Sequence, residues 1–416
     1  MVNIKKKISW QTAKTTGLPD DCEIDLETVA VTICGGGNGA HAGAAMLSHQ
    51  GCKTSMYLSL KKEAAKLKHG IEQGGIKCEQ LILDELIQYR GAPVVSDDAS
   101  IVGGSDVIII LAPGFAHESI LREIKPFLKD GALVGALPAH GGFDLVAKHV
   151  LAERIEDVTL FGTVSLPWAA RIASYGMRVE ILGTKEELPM SCHPRVPRVP
   201  IVQLFNSMFI GTTFPLGNDF LEITLWPANN IIHPGILYGQ WKNWEGTPLH
   251  EKPLFYVGLD DFAASKLQGM SDEIQQVKIA VEKELGLTLS VPELSGFLLQ
   301  SYGREIEDKS SLKRIFQTNP GYQGLTHPMR QTGEGNYVPD FSSRYLTEDL
   351  PHGLAVLRGI AGLVNVPTPC MDEVLSWGQN ACGQKYLDNG TMTGKDVSHS
   401  GVPQRFGYHQ VSELIF

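Results

Sequence analysis

At 416 residues, with 36 Lys and Arg against 46 Asp and Glu and a formal charge of −10, the chain is long enough for two domains and too acidic to suggest a nucleic acid or an anionic membrane as partner. Its longest apolar runs, such as Val107–Ala112, are far too short to span a bilayer. Seven cysteines (Cys22, Cys34, Cys52, Cys78, Cys192, Cys370 and Cys382) are odd in number and lack C-x-x-C spacing, so reduced thiols in cytosol are expected, with neither a disulfide framework nor a metal site.

Residues 1–27 lack an apolar signal core and turn acidic before the first strand; they read as a leader that packs on the first domain or is partly loose. The stretch 29–45, VAVTICGGGNGAHAGAA, then runs from β-branched residues through a glycine cluster into small, helix-compatible residues. This predicts the strand–turn–helix that seats a dinucleotide pyrophosphate. Gly35 permits the tight turn, Gly37 lets the backbone approach the pyrophosphate, and Ala40, in the slot of the third glycine, lets the helix pack on the strand. Gly36, Asn38 and Gly39 complete the expected cofactor-binding set, and the helix start favours negative charge. A glycine turn can be merely structural; here the strand before it, its N-terminal place and the helix after it agree.

A second strand is expected near Thr54–Leu60, but no Asp or Glu ends it to meet an adenosine ribose. Lys61 or Lys62 could meet a 2′-phosphate or be ordinary solvated lysines, so these residues leave NAD and NADP open. Val107–Leu111 reads as a buried strand ending in Ala112-Pro113-Gly114, with Pro113 at the cofactor and His117-Glu118 opening a helix; a place for His117 near the nicotinamide is the less favoured reading. Ala132–Leu137, Thr159–Thr163 and Val179–Leu182 are further strands. Their alternation with helices predicts an α/β, Rossmann-like, doubly wound parallel sheet, with ligands off the carboxyl ends of the strands in loops 34–41, 112–117, 138–142 and 164–168. Pro194, Pro197, Pro200 and Pro215 mark a change of character. Helical patterns follow, with Asp272–Leu285 amphipathic and Gly353–Val364 apolar on every side except Arg358. The expected domains are 1–218, binding NAD(P), and 224–416, mostly α-helical, with the active site between them.

Two segments in the second half carry chemistry: Asn229-Asn230-Ile231-Ile232-His233-Pro234-Gly235, and the charged, proline-bounded run 339–351, PDFSSRYLTEDLP. On a helix Asn229 and His233 share a face. By itself a His-Pro more often starts a helix or sits in a core, Arg344 and Asp349 could pair across a turn, and Asn229 could either orient substrate or cap its own helix.

Together with CGGGNGAH, LPWAARI at 166–172, IIHPGILYGQW at 231–241, RYLTEDLP at 344–351, TGKDV and PQRFG, these segments resemble the opine dehydrogenases, the octopine dehydrogenase family of marine invertebrates and its bacterial relatives, from about Val29 to about Gly407. The resemblance implies an oxidoreductase acting on CH–NH donors. It condenses an α-keto acid, usually pyruvate, with the amino group of an amino acid and reduces the imine with NAD(P)H, which regenerates NAD⁺ in anaerobic glycolysis. A cytoplasmic monomer is expected, using NAD(H) in preference to NADP(H). The attacking amine must be neutral and the carbinol oxygen must be protonated to leave as water; a histidine near pH 7 can serve both needs. The resemblance puts His233 in that role, Asp349 on its other ring nitrogen, and Arg344 as the carboxylate clamp.

The chain departs from the octopine-forming member where substrate is expected. Pro138-Ala139-His140-Gly141-Gly142 stands for Pro-Ser-Gln-Ala-Gly, so His140 replaces a glutamine; Ser165 replaces a threonine; and Phe297 falls near a tryptophan that packs on the arginine substrate. The lost cation–π partner favours a small donor: taurine, alanine, glycine or β-alanine. The alternatives are an octopine-forming enzyme, a 2-hydroxyacid or ketopantoate-type reductase with no amine requirement, and a nucleotide-binding sensor without turnover.

Overall fold

A computed structural model describes residues 5–82, 85–333 and 335–416. The chain divides into two compact units, Met1–Ile223 together with Phe416, and Thr224–Ile415. The second unit begins at Thr224, and Phe416 belongs to the first, where its ring stacks on His193 at 4.2 Å. Residues 219–223, left between the expected domains, also fall in the first unit.

The first unit opens with β1 (Lys6–Ser9), α1 (Trp10–Thr16) and β2 (Cys22–Asp25). Most of the expected leader is therefore folded: Trp10 is fully buried, and Gln11 and Lys14 both reach the Asp106 carboxylate. The chain continues through β3 (Ala30–Cys34), α2 (Asn38–His49), β4 (Lys53–Tyr57), α3 (Lys61–Glu72), β5 (Ile76–Ile82), β6 (Glu85–Gly91), β7 (Val94–Ser96), β8 (Val107–Ile110), α4 (Gly114–Ile124), β9 (Leu133–Ala136), α5 (Phe143–Leu151), β10 (Thr159–Thr163), β11 (Trp168–Ser174), β12 (Arg178–Thr184), β13 (Met190–His193) and α6 (Ile201–Met208). Seven strands form the main sheet in the order β13-β10-β9-β8-β3-β4-β7, parallel except for the edge strand β13. Strand order reverses between β3 and β8, so the crevice for a ligand opens at the carboxyl end of β3, where the glycine cluster lies.

The segment 179–182 is a strand, but it belongs to a separate four-stranded sheet, β11-β12-β5-β6. That sheet packs on α2, which is buried from Gly39 to Leu47. The small side chains of α2 make the approach possible: a Cβ on Gly91 of β6 would lie 2.9 Å from the carbonyl oxygen of Ala44.

The second unit is entered through α7 (Leu221–Thr224) and built from α8 (Asn229–Trp241), α9 (Asp261–Leu285), α10 (Leu294–Tyr302), α11 (Leu312–Thr318), the hairpin β14 (Met329–Gln331) and β15 (Tyr337–Pro339), α12 (Arg344–Thr347), α13 (Ala355–Leu363) and α14 (Pro369–Ala381). Helix α8 is the core element, buried from Asn230 to Tyr238. It crosses α9 at two glycines, Gly235 meeting Leu267 and Met270, and Gly239 meeting Ala263. Helix α9 extends the expected 272–285 element back to Asp261 because Asp260 caps it, accepting from Ala263 N at 2.7 Å. The apolar segment 353–364 is helical from Ala355, after a π-helical turn over Leu350–Leu354. Arg358, its one charge, is neutralised by Asp372. Among the described residues no helix is long and apolar enough to cross a membrane, and no cluster of three His, Cys, Asp or Glu is placed to hold a metal ion.

Candidate active site

The glycine turn between β3 and α2 is shaped by two different constraints. Gly35 has φ +136°, and a Cβ there would lie 2.3 Å from the carbonyl oxygen of Leu111, so protein packing alone demands glycine. Gly37, the N-cap of α2, has φ −83°, and a Cβ would meet no protein atom within 4 Å. Neither backbone nor packing requires glycine at 37, which fits close approach of a bound group. Gly36 faces Leu58 and the Tyr175 hydroxyl, Gly39 faces Leu166, and Ala40 is fully buried. Asn38 accepts a hydrogen bond from the Ile172 N–H at 3.0 Å, tying the turn to β11. His41, not singled out in the sequence, locks the turn. The Gly176 N–H donates to its Nε2 at 2.9 Å, which leaves Nδ1–H to donate to the Gly37 carbonyl at 3.0 Å. Burial holds its pKa down, in keeping with that neutral tautomer.

The acids missing from the end of β4 are found elsewhere nearby. Off the carboxyl ends of β4 and β7 lies an open cleft of about 500 Å³ lined by Tyr57, Ser59, Lys61, Asp97, Asp98, Ala99 and Glu123. Tyr57 donates to Glu123 at 2.6 Å, and Asp98 is held ionised, its pKa lowered chiefly by the Ser100 backbone N–H it accepts. Three carboxylates face one ammonium. Asp97 and Asp98 follow β7, and Glu123 sits on α4, so none of them ends the second strand.

Pro113 is the exposed N-cap of α4, and the helix starts at Gly114, earlier than the expected opening at His117. His117 is buried in the first turn and donates from Nε2 to the Ala112 carbonyl at 3.1 Å; burial pushes its pKa down to about 4, so it is a neutral brace for this loop. His140 is half-buried in the turn after β9, followed by Gly141 and Gly142 at φ +80° and +83°. Ser165, also half-buried, follows β10; its carbonyl accepts from the Thr163 hydroxyl at 2.7 Å.

In the second unit His233 sits mid-helix on α8 and is 3% exposed. Its Nδ1 lies 2.7 Å from Oδ2 of Asp349, and its Nε2 lies 3.0 Å from the Tyr256 hydroxyl. A carboxylate accepts from Nδ1–H, so the network leaves the lone pair on Nε2, where the phenol donates. One ring face stacks on Tyr345 at 3.7 Å and 14°, and Phe255 closes in edge-on at 5.7 Å. Asp349 lies at the junction between α12 and the π-turn: its N–H donates to the Arg344 carbonyl and its own carbonyl accepts from Leu354 N–H. Such turns recur at functional sites because they re-aim side chains a regular helix would misplace.

Arg344 opens α12 with an exposed side chain, and among the described residues it forms no ion pair, with Asp349 or any other carboxylate. The alternative of a simple Arg344–Asp349 pair is thereby set aside. Asn229 does not cap α8: it is the exposed first residue, no side chain caps the helix at Ala228, and the turn is held by Asn230, which accepts from Ala228 N–H at 2.7 Å and donates to the Trp226 carbonyl at 2.9 Å. Phe297 is half-buried on α10, edge-on to Trp226 at 6.1 Å. Tyr256, Tyr345 and Asn230 were not legible as site residues. Tyr345 stood inside the charged motif, but Tyr256 lies in a loop whose sequence carries no chemical signature.

A glycine-turn sheet joined to a helical unit with a buried histidine–carboxylate pair defines a class, the nicotinamide-dependent oxidoreductases. The family profile described as NAD/NADP octopine/nopaline dehydrogenase, alpha-helical domain, matches residues 216–382. The opine dehydrogenase of Haliotis discus hannai is 35% identical over 407 residues, covering 93% of this chain and 98% of its own, and the tauropine dehydrogenase of Arabella iricolor is 34% identical over 403 residues, covering 93% and 100%. Solved structures of octopine dehydrogenase are also similar: the complex with NADH and L-arginine has a TM-score of 0.88 at 33% identity, and that with NADH and pyruvate a TM-score of 0.85 at 32% identity, each covering 93% of this chain and 98% of its own. The chain belongs to the opine dehydrogenase family.

Proposed function

We propose that this enzyme condenses pyruvate with the amino group of a small amino acid (taurine, alanine, glycine or β-alanine) and reduces the product to a secondary-amine opine with NAD(H). The observation that carries this reading is the 2.7 Å His233–Asp349 bond, on a segment that also presents the exposed guanidinium of Arg344, which has no ion pair among the described residues. With Nδ1 engaged by Asp349, proton exchange is confined to Nε2. His233 accepts the proton that frees the amine, and Asp349 stabilises the imidazolium. A proton then returns to the carbinol oxygen, which leaves as water. Arg344 holds the keto-acid carboxylate through two parallel charge-assisted bonds. His140 and Ser165 serve the same substrate, Asn229 orients it from the helix face shared with His233, and Phe297 walls the donor side chain. The nicotinamide, when bound on the Gly35–Ala40 turn with Pro113 nearby, supplies hydride to the imine carbon.

Preference for NAD(H) is supported by the cleft beside β4, where Asp97, Asp98 and Glu123 would repel a 2′-phosphate and Lys61 alone would attract it. All seven cysteines are free thiols, which fits a cytoplasmic place. We take the active form to be a monomer. A guanidinium donor is the second reading, because Trp226 lies against Phe297 and keeps an indole close to that wall.

The test is oxidation of NADH and NADPH with pyruvate plus taurine, alanine, glycine, β-alanine, arginine or no amine. A small amine with NADH should give the highest rate. Clear preference for arginine establishes the octopine-forming reading, amine-independent oxidation a 2-hydroxyacid or ketopantoate-type reductase, and cofactor binding without turnover a sensor.

A further inference from the structure

Both ring nitrogens of His233 are already engaged by protein: Nδ1 by Asp349 and Nε2 by the Tyr256 hydroxyl at 3.0 Å. The Nε2 lone pair lies in the ring plane and points at that phenol, so no third group can exchange a proton there while Tyr256 stays in place. Tyr256 is built to stay. It is 8% exposed, its ring stacks on Tyr322 at 4.1 Å and 16°, Phe255 meets it edge-on at 4.7 Å, and its hydroxyl interacts with that of Tyr345, whose own ring covers His233. Swinging it aside would dismantle this aromatic cluster.

We propose that Tyr256 is a catalytic proton relay, the group through which His233 exchanges its proton with substrate. The inference rests on the opine reading above. As the donor ammonium gives a proton to the Tyr256 oxygen, the phenolic proton passes to Nε2 of His233. The phenol stays neutral and the imidazolium forms beside Asp349. On the return, Nε2 gives its proton to the Tyr256 oxygen while the phenol protonates the carbinol hydroxyl, and water departs. Burial pushes the Tyr256 pKa well above the usual phenol range, chiefly by desolvation, which suits a group that passes protons without resting as phenolate.

Tyr256→Phe keeps the ring contacts and deletes one hydroxyl. In single turnovers with pyruvate and the preferred amine, the rate should fall about 10- to 100-fold with substrate and NADH affinities within about two-fold of wild type. The solvent-deuterium proton inventory, bowed for two protons in flight in the wild type, should become linear. Independently of activity, the ¹⁵N resonance of His233 Nε2 should move from a hydrogen-bonded towards a bare lone-pair position in the variant. Unchanged rate and inventory in Tyr256→Phe overturn the relay, as does an unchanged Nε2 resonance. Absence of amine-dependent turnover in the wild type overturns the opine reading instead, and the resonance still reports on Tyr256.

Discussion

His233 and Asp349 are separated by more than a hundred residues in sequence and by 2.7 Å in space, joined through the one imidazole nitrogen that faces a carboxylate. The bond fixes which nitrogen carries the proton. Asp349→Asn keeps the shape but presents an amide that can donate to Nδ1, so the opposite tautomer is favoured and the Nε2 lone pair is lost. Turnover should fall about 10²- to 10⁴-fold. NADH affinity, read by fluorescence titration, should not change, because the glycine turn belongs to the other unit.

Arg344 is exposed and has no carboxylate partner among the described residues, so its loss costs the fold little. Arg344→Lys preserves the charge and removes the planar fork. The Michaelis constant for pyruvate should rise about ten-fold while unfolding free energy stays within about 0.5 kcal/mol of wild type. Steady-state kinetics and urea unfolding on the same preparation separate the two effects. Normal pyruvate kinetics would remove Arg344 from the substrate site.

Gly35 and Gly37 differ in what they serve, and alanine distinguishes them. Gly35→Ala places a methyl 2.3 Å from the Leu111 carbonyl at φ +136°, so stability should fall by roughly 3 kcal/mol and NADH binding with it. Gly37→Ala meets no protein atom within 4 Å, so its melting temperature should barely move while NADH binds about ten-fold more weakly. Equal affinity in Gly37→Ala would place the pyrophosphate elsewhere.

These contrasts bear on what the sequence could reveal. The β3 turn was legible because its demand is local: a backbone at Gly35 that only glycine adopts, beside a continuous apolar strand such as 107–110. The second sheet was not, since β12 pairs with β5 across about a hundred residues of sequence, a contact that leaves no periodic mark. The carboxylates of the β4 cleft escaped for the same reason, Glu123 arriving from a helix that follows another strand. At the His233–Asp349 pair, the His-Pro and charged segments could be found, but the partner on Nε2 could not. Tyr256 is placed by aromatic packing against Tyr322 and Phe255, and packing has no spacing rule.

A last prediction concerns acid stability of the second unit. His327 is buried, accepts the Trp241 indole N–H at Nδ1 across 3.0 Å, and is held neutral by desolvation, its pKa pushed down to about 3. An unfolded histidine titrates near about 6.5. Below that value the unfolded chain binds a proton that the folded state refuses, so this contribution is fully present above about pH 6.5 and is lost as pH falls towards about 3. At about 1.4 kcal/mol per pH unit, moving from about pH 7 to about pH 5 should cost about 2 kcal/mol through this residue. His327→Gln retains a carbonyl acceptor for Trp241 and cannot titrate. Urea unfolding at both pH values should show the wild type losing about 2 kcal/mol more than the variant. Equal losses would mean that His327 takes up its proton in the folded state at an ordinary pH.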